Sequence, residues 1–490
     1  MNRIVIAYLF FFFSLFIYAD VPWSFNVLVS TDAPWDTLNQ GESCFDLWGD
    51  SIFSICNTAE RGSVPIAPYA YSFNGGQNFI QIPFTDNTTG IIWHTDPVIG
   101  VDDSGYVHML IQYSTTYIQH YLSKDGGLTW VDTTRVTPSS GVDKPWMVVN
   151  RNEVYVVWQQ VSGTTGIWFA RSTNYGATFS SSRIWTRTGI AALYMDENEN
   201  LHLALVTSWP NGNVYYRKST NYGQTWSAEV YLSDSYYQTS YGDRAPINSI
   251  TAQGNIVFVT WVDSRNGDWD IMGVRSTDGG ISWSPRFIVN DITTGGQCKG
   301  YAHFDRYGGL HVFYYHTPDW PTSVNSYFSV RHRYSADGGV TFLPSVRISD
   351  TEARSHADFI GEYHILRSDS LYIYAIWADG RNPHDNDLYF SKALLQDFQG
   401  LKEKYVAKSV SENLSIPTIW FDNQVLKFRF NQVPNAVRLY NICGKVMMDF
   451  NIDRASNTAF CPNNTLPQGV YLLEIRLKDK SIVKKIIRIR

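Results

Sequence analysis

The chain has 490 residues, of which 44% are hydrophobic, 15% aromatic and only 17% charged, and its formal net charge is −6. This composition excludes collagen-like, low-complexity and broadly disordered chains, and the mild acidity leaves no basic footprint for nucleic acid. It describes a globular protein with a large core and a surface built from Tyr, Trp, Asn, Ser and Thr.

Asn2 and Arg3 precede an unbroken apolar run over 4–17, and Ala19 stands before Asp20. The pattern predicts a secretory signal over 1–19. Such a run falls short of the ~20 residues needed to cross a bilayer, so no transmembrane segment is expected in the mature protein. Cys44 with Cys56, and Cys443 with Cys461, are candidate disulfides in an oxidising compartment; the alternative is free thiols packed as small apolar residues. Cys298 is the fifth cysteine, and the spacing of the five does not suit zinc.

Six copies of Ser-x-Asp/Asn-x-Gly-x-Thr/Ser/Asn-Trp/Phe follow, starting at Ser72, Ser123, Ser172, Ser219, Ser276 and Ser335. Intervals of 51, 49, 47, 57 and 59 residues make this an internal repeat. Each copy suits a hairpin tip. Its Asp or Asn (Asn74, Asp125, Asn174, Asn221, Asp278, Asp337) accepts backbone N–H bonds, Gly supplies a positive φ, and the final aromatic packs back beneath the turn. No histidine accompanies the Ser and Asp, and all copies are alike, so the role expected is structural.

Upstream of each box an apolar, β-branched or aromatic run reads as a buried strand, starting at Ile52, Val107, Val154, Leu201, Ile256 and Leu310, with a seventh over 371–377. Seven units of strand, turn, buried strand and third strand result. Six continue through a box into a fourth strand, whereas the seventh stops at 388–391. Residues 23–30 resemble 283–290 and supply the missing strand. The expectation is an all-β chain: a seven-bladed, alternatively six-bladed, β-propeller of four-stranded antiparallel blades, closed by its own N-terminal strand.

The repeats resemble the Asp boxes, or BNR repeats, of the sialidase superfamily, and the likeness covers about 21–395. It implies a propeller whose boxes lie away from the active site. For sialidase activity it implies three arginines on a substrate carboxylate, a Tyr nucleophile with a Glu partner, and an Asp acid/base. Guanidinium forks suit carboxylates, and an oxocarbenium-like transition state favours nearby negative charge. Arg244, Arg265, Arg354 and Arg381 are the candidate arginines, and Glu362 with Tyr363 the candidate nucleophile pair. The Arg-Ile-Pro of the family is absent, and Ser63-Val-Pro stands in that region.

Asp96, Asp143, Asp243 and Asp358 recur where an outer strand passes to the next inner strand. They are read either as caps of those strands or as residues of the channel mouth. Asp143 and Asp243, each followed by a basic residue, are the acid/base candidates. Asp263 with Arg265, and Asp379 with Arg381, follow long buried strands. They either pin their own loops or face the channel, where loop carboxylates such as Asp268, Asp270, Asp385 and Asp387 offer oxygen to Ca²⁺. No EF-hand spacing supports a metal, and no cofactor is expected. Trp209 and Trp320, in loops, are read either as sugar-stacking platforms or as packing between blades.

The repeat stops near 395, and 396–415 reads as a linker with one helical turn. Residues 401–490 carry +8 against −14 for the rest, which sets off a second domain. Strand-like alternation over 425–430, 436–440, 470–476 and 482–489 predicts a small antiparallel sandwich over 416–490. Residues 439–445, 466–471 and the closing 484–490 resemble the C-terminal sorting domain of type IX secretion. That likeness implies engagement with the secretion machinery, outer-membrane passage, and release or attachment at the cell surface. The function expected is an extracellular propeller over 20–395 that binds a glycan or glycoprotein; an exo-α-sialidase and a non-enzymatic adhesive protein are the alternatives.

Overall fold

The computed structural model describes residues 23–30, 39–58, 66–85, 94–207, 210–356, 360–361 and 363–398, together with the strands and some adjoining turns between 418 and 488. Residues 1–22, Trp209, Asp358 and Glu362 lie outside the described residues, as do Cys443 and Cys461. The predicted signal segment and three candidate site residues therefore carry no structural description. Contacts divide the chain into Met1–Gln399 and Gly400–Arg490.

Seven antiparallel sheets of four main strands follow one another along the first unit, and the inner strand of each packs on that of the next. The first blade runs Gln40–Trp48, Ser51–Thr58, Ala67–Ser72 and Ile80–Phe84. The inner strands of the next five begin at His94, Val142, Gly189, Asn248 and Gly296, and the seventh blade begins with Leu366–Ser368. The second strands, such as Leu310–Thr317 and Ile256–Asp263, are the most deeply buried. Their continuous apolar runs are what a strand covered on both faces requires. The sixth blade carries an extra pair, Ala353–Arg354, on its third strand.

Closure is as the sequence predicts. Val27–Leu28 pairs antiparallel with the last strand of the seventh blade, Val27 opposite Phe390 and Leu28 opposite Tyr389. The Val29 amide donates to the Leu388 carbonyl at 2.8 Å, and the Ser30 hydroxyl accepts from the Leu388 amide at 2.8 Å. Seven blades, not six, complete the ring.

The repeated boxes act as mortar between blades. In the second blade Ser123 Oγ donates to Asp125 at 2.7 Å, the Gly127 amide donates to Ser123 Oγ at 2.7 Å, and the Thr129 amide donates to Asp125 at 2.9 Å. The serine-centred bonds recur in the other five boxes. The Ser282 hydroxyl and amide hold the Asp278 carboxyl down at about 2. The glycine at the fifth position of a box leans on a ring of the preceding blade so closely that no Cβ fits: Gly127 on Tyr69, Gly176 on His120, Gly223 on Phe169, Gly280 on Tyr216. The closing aromatic packs on the same ring, Trp130 at 5.4 Å from Tyr69 and Trp283 at 5.0 Å from Tyr216.

Cys44, Cys56 and Cys298 are buried and outside any disulfide, which excludes the Cys44–Cys56 pair. Cys44 donates to the Ile99 carbonyl instead. In the second unit two four-stranded antiparallel sheets form, one around Val425–Arg429 and one around Ala436–Asn441 and Gly469–Arg476.

Candidate functional site

The inner strands of four blades break register where they enter the sheet: between Gly41 and Cys44, Thr95 and Val98, Asp143 and Trp146, and Cys298 and Tyr301. A bulge of this kind turns a side chain out of the pleat. In each, the residue after the last regular pair is left-handed although it is not glycine: Glu42 (φ 52°), Asp96 (φ 45°), Lys144 (φ 51°) and Lys299 (φ 56°). An L-residue there costs roughly 1–2 kcal/mol, so four charged residues are held in strained backbone around one axis. Strain of this kind gathers at functional sites. Gly242 and Gly361 are left-handed at the start of the fifth and seventh blades.

The charges meet across blades. Lys144 Nζ lies 2.9 Å from Asp96 and 3.7 Å from Glu42. Asn57 donates to the other oxygen of Glu42, and Thr95 Oγ1 donates to Asp96 at 3.1 Å. Tyr363 donates its phenolic proton to Asp96 at 3.3 Å, and Lys144 stands 5.8 Å from the centre of the Tyr363 ring. Two residues beyond the left-handed position come Trp146, Tyr301 and Tyr363, all of which line the channel. The Trp146 and Tyr363 rings are 5.5 Å apart. Below them the channel wall is largely apolar, with Ile190, Ala192 and Ile250 among its residues.

A second ion pair, Lys299 with Asp243 at 2.7 Å, is fully buried beside the channel. Burial, and then the charge of Lys299, push the His364 imidazole well below its ordinary value, so it is neutral. Its Nδ1 lies 3.3 Å from the Ser43 hydroxyl and 3.4 Å from that of Tyr315. Further along, Arg367 reaches Asp46 and the Tyr301 hydroxyl, each at 3.2 Å.

The candidates read from the sequence fall into two groups. Tyr363 and Asp243 lie at the axis, and Asp143 is half-buried there, accepting from Gln112 at 3.4 Å. The arginines do not gather into a triad. Arg265 is spent on Asp263 at 2.7 Å and on Asp234, and Arg381 on Asp379 and Asp350 while stacked on Tyr389. Asp263 and Asp379 also accept from the indoles of Trp261 and Trp377, at 3.3 and 3.0 Å, so both Asp–Arg pairs pin their own loops. Arg244 is exposed, and Arg354 is exposed over the Tyr327 ring at 4.7 Å. Trp320 packs edge-on against Trp269 at 4.7 Å. Asp270 and Asp387 accept amide protons from Asn266 and Asn382, and among the described residues no group of three acidic, His or Cys side chains is placed to hold a metal.

Glu42, Lys299 and His364 were not legible as site residues. The Pro after Asp96 and after Lys144 was the available signal for the bulges, and it marks two of the four.

Seven closed blades and six box turns define an Asp-box β-propeller, and residues 274–285 match the BNR/Asp-box repeat family. Residues 421–490 match the secretion system C-terminal sorting domain. The chain is therefore a propeller addressed for secretion or for attachment at the outer-membrane surface. No helix among the described residues is long and apolar enough to cross a membrane. No curated protein matches the chain in sequence. Among solved structures, an ulvan lyase of a polysaccharide lyase family is 11% identical over 74% of this chain and 97% of its own, with a TM-score of 0.50. A protein of unknown function from Dyadobacter fermentans is 12% identical over 76% and 98%, TM-score 0.46. The NanB sialidase of Streptococcus pneumoniae is 12% identical over 76% and 71%, TM-score 0.42. At these identities the likeness is one of fold.

Proposed function

We propose that this protein is an extracellular glycan-binding propeller whose ligand sits at the channel mouth, over Trp146 and Tyr363. The observation that carries the reading is the pair of rings 5.5 Å apart beside Lys144, Glu42 and Asp96, all three on left-handed backbone. Aromatic faces take the apolar face of a sugar, and fixed charged groups at their edge order its hydroxyls. The sorting domain fits this reading, since it puts the propeller where surface polysaccharides are. The ulvan lyase, similar in fold, is a protein of a polysaccharide lyase family.

Trp146→Ala is expected to weaken glycan binding about tenfold or more, the loss typical of a central aromatic anchor. Glycan arrays followed by calorimetry on the best ligand measure it. Unchanged affinity in Trp146→Ala would move the ligand away from the mouth. A second reading, hydrolysis, draws on the Tyr363–Asp96 contact, which gives the phenol a carboxylate neighbour from another blade. Turnover of a fluorogenic glycoside lost in Tyr363→Phe would favour it; the sialic-acid derivative is the first substrate to try.

A further inference from the structure

Each box leans on a ring of the blade before it, yet the seventh blade has no box. The ring left over is His332, on the third strand of the sixth blade, and it is buried to 1%. Two segments that flank the blades cover it. Trp23, just ahead of the closing strand, lies 5.2 Å from His332, in the place where Trp130 or Trp283 stands over its own ring. Phe398, in the helical turn 395–398 that follows the last blade strand, lies 5.3 Å from His332, 4.9 Å from His311 and 5.0 Å from Tyr334.

His332 also ends a buried relay. Asp305 accepts the backbone amides of Tyr307 and Gly309 and faces His311 Nε2 at 3.1 Å, and His311 Nδ1 faces His332 Nε2 at 3.0 Å. With His311 Nε2–H directed at the carboxylate, His332 must donate to His311 Nδ1. The second blade repeats the arrangement as Asp102, His108 and His120, and the fourth as Asp196, His202 and Tyr216. His120 is covered by the continuous box of Gly176 and Phe179. His332 alone of the three is covered by the segments that flank the blades.

We propose that this seam is an acid-operated latch: protonating His332 releases Trp23 and Phe398, and the ring opens between its first and last strands while the blades remain folded. A proton on His332 sets a charge among Trp23, Phe398 and Tyr334. The other charged groups nearby are Arg331 and Arg333 on its own strand, turned to Ser345 and to the carbonyls of Leu343 and Phe342, Asp305 behind His311, and the half-buried Asp397 beside Phe398 on the helical turn. Asp305 is engaged by His311, so it does not compensate a charge on His332. Burial pushes His332 well below its ordinary value. The unfolded seam then binds protons that the closed seam refuses, so the latch holds above about pH 6.5 and weakens as pH falls below it.

Amide hydrogen exchange on the full chain between pH 7.5 and 5.0, corrected for intrinsic rates, tests this. Protection over 23–30 and 395–398 is expected to fall by up to about tenfold per pH unit below 6.5, for one proton taken up on opening, while the second strands of the blades keep theirs. His332→Tyr, which copies Tyr216, should flatten that pH dependence, and His120→Tyr should leave it intact. His332→Gln, able to donate to His311 without titrating, serves if the tyrosine variant is misfolded at pH 7.5. Seam protection that follows the blades at every pH in the native chain overturns the proposal, as does an unchanged slope in the folded His332 variant. Neither result bears on glycan binding at the mouth.

Discussion

Gly176 shows how much of this fold rests on single atoms. Its φ is +83°, and a Cβ there would stand 2.0 Å from the His120 ring. Gly163 has a similar φ of +71° but nothing within 4 Å. Gly176→Ala combines left-handed strain with overpacking and should cost about 2–4 kcal/mol, whereas Gly163→Ala should cost only about 1 kcal/mol. Urea unfolding of the two variants separates the contributions; equal losses would mean that the box glycine is needed for its backbone alone. The box was readable in the sequence because its bonds join residues two and four apart, as Ser123, Asp125 and Thr129 do. The Lys144–Asp96 contact spans 48 residues and the Tyr363–Asp96 contact 267, and nothing local announces either.

Among the strands, the second of each blade was the easiest to find and the fourth the hardest. Ile256–Asp263 is buried almost throughout, so its apolar run is unbroken. Phe287–Ile288 and Val346–Arg347 are two-residue pairings at the rim, half-exposed, where little hydrophobic pattern is required. The same shortness applies to Val27–Leu28, yet that strand covers the edge of Asp387–Leu394. Removing residues 23–30 should leave a long unpaired edge, lower the melting temperature and promote self-association. Light scattering and calorimetry measure this; a monomer of unchanged stability would show that the closing strand contributes nothing to the ring. Of the inner-strand bulges only the two followed by proline, at Asp96 and Lys144, left a mark in the sequence, because a register shift is decided against the partner strand.

On the scale of the whole chain, the acidic propeller and the basic tail separate in charge as they do in contacts. The sorting domain matched over 421–490 carries the cellular address. Deleting 416–490 should leave the propeller folded and retain it in the periplasm, as read by cell fractionation. Undiminished appearance outside the cell would mean that the propeller carries its own export signal.

The sequence by itself determined the blade architecture, the closure of the ring and the second domain, because strands, box turns and charge blocks are written in residues close along the chain. Only the tertiary structure decided which charges face one another at the axis, that Arg265 and Arg381 serve their own loops, and that Trp23 and Phe398 share one histidine. The physical reason is that a propeller brings the inner strand of each blade to the axis, four of them at a bulged residue, so its centre is assembled from positions some fifty residues or more apart whose meeting depends on closing the whole ring.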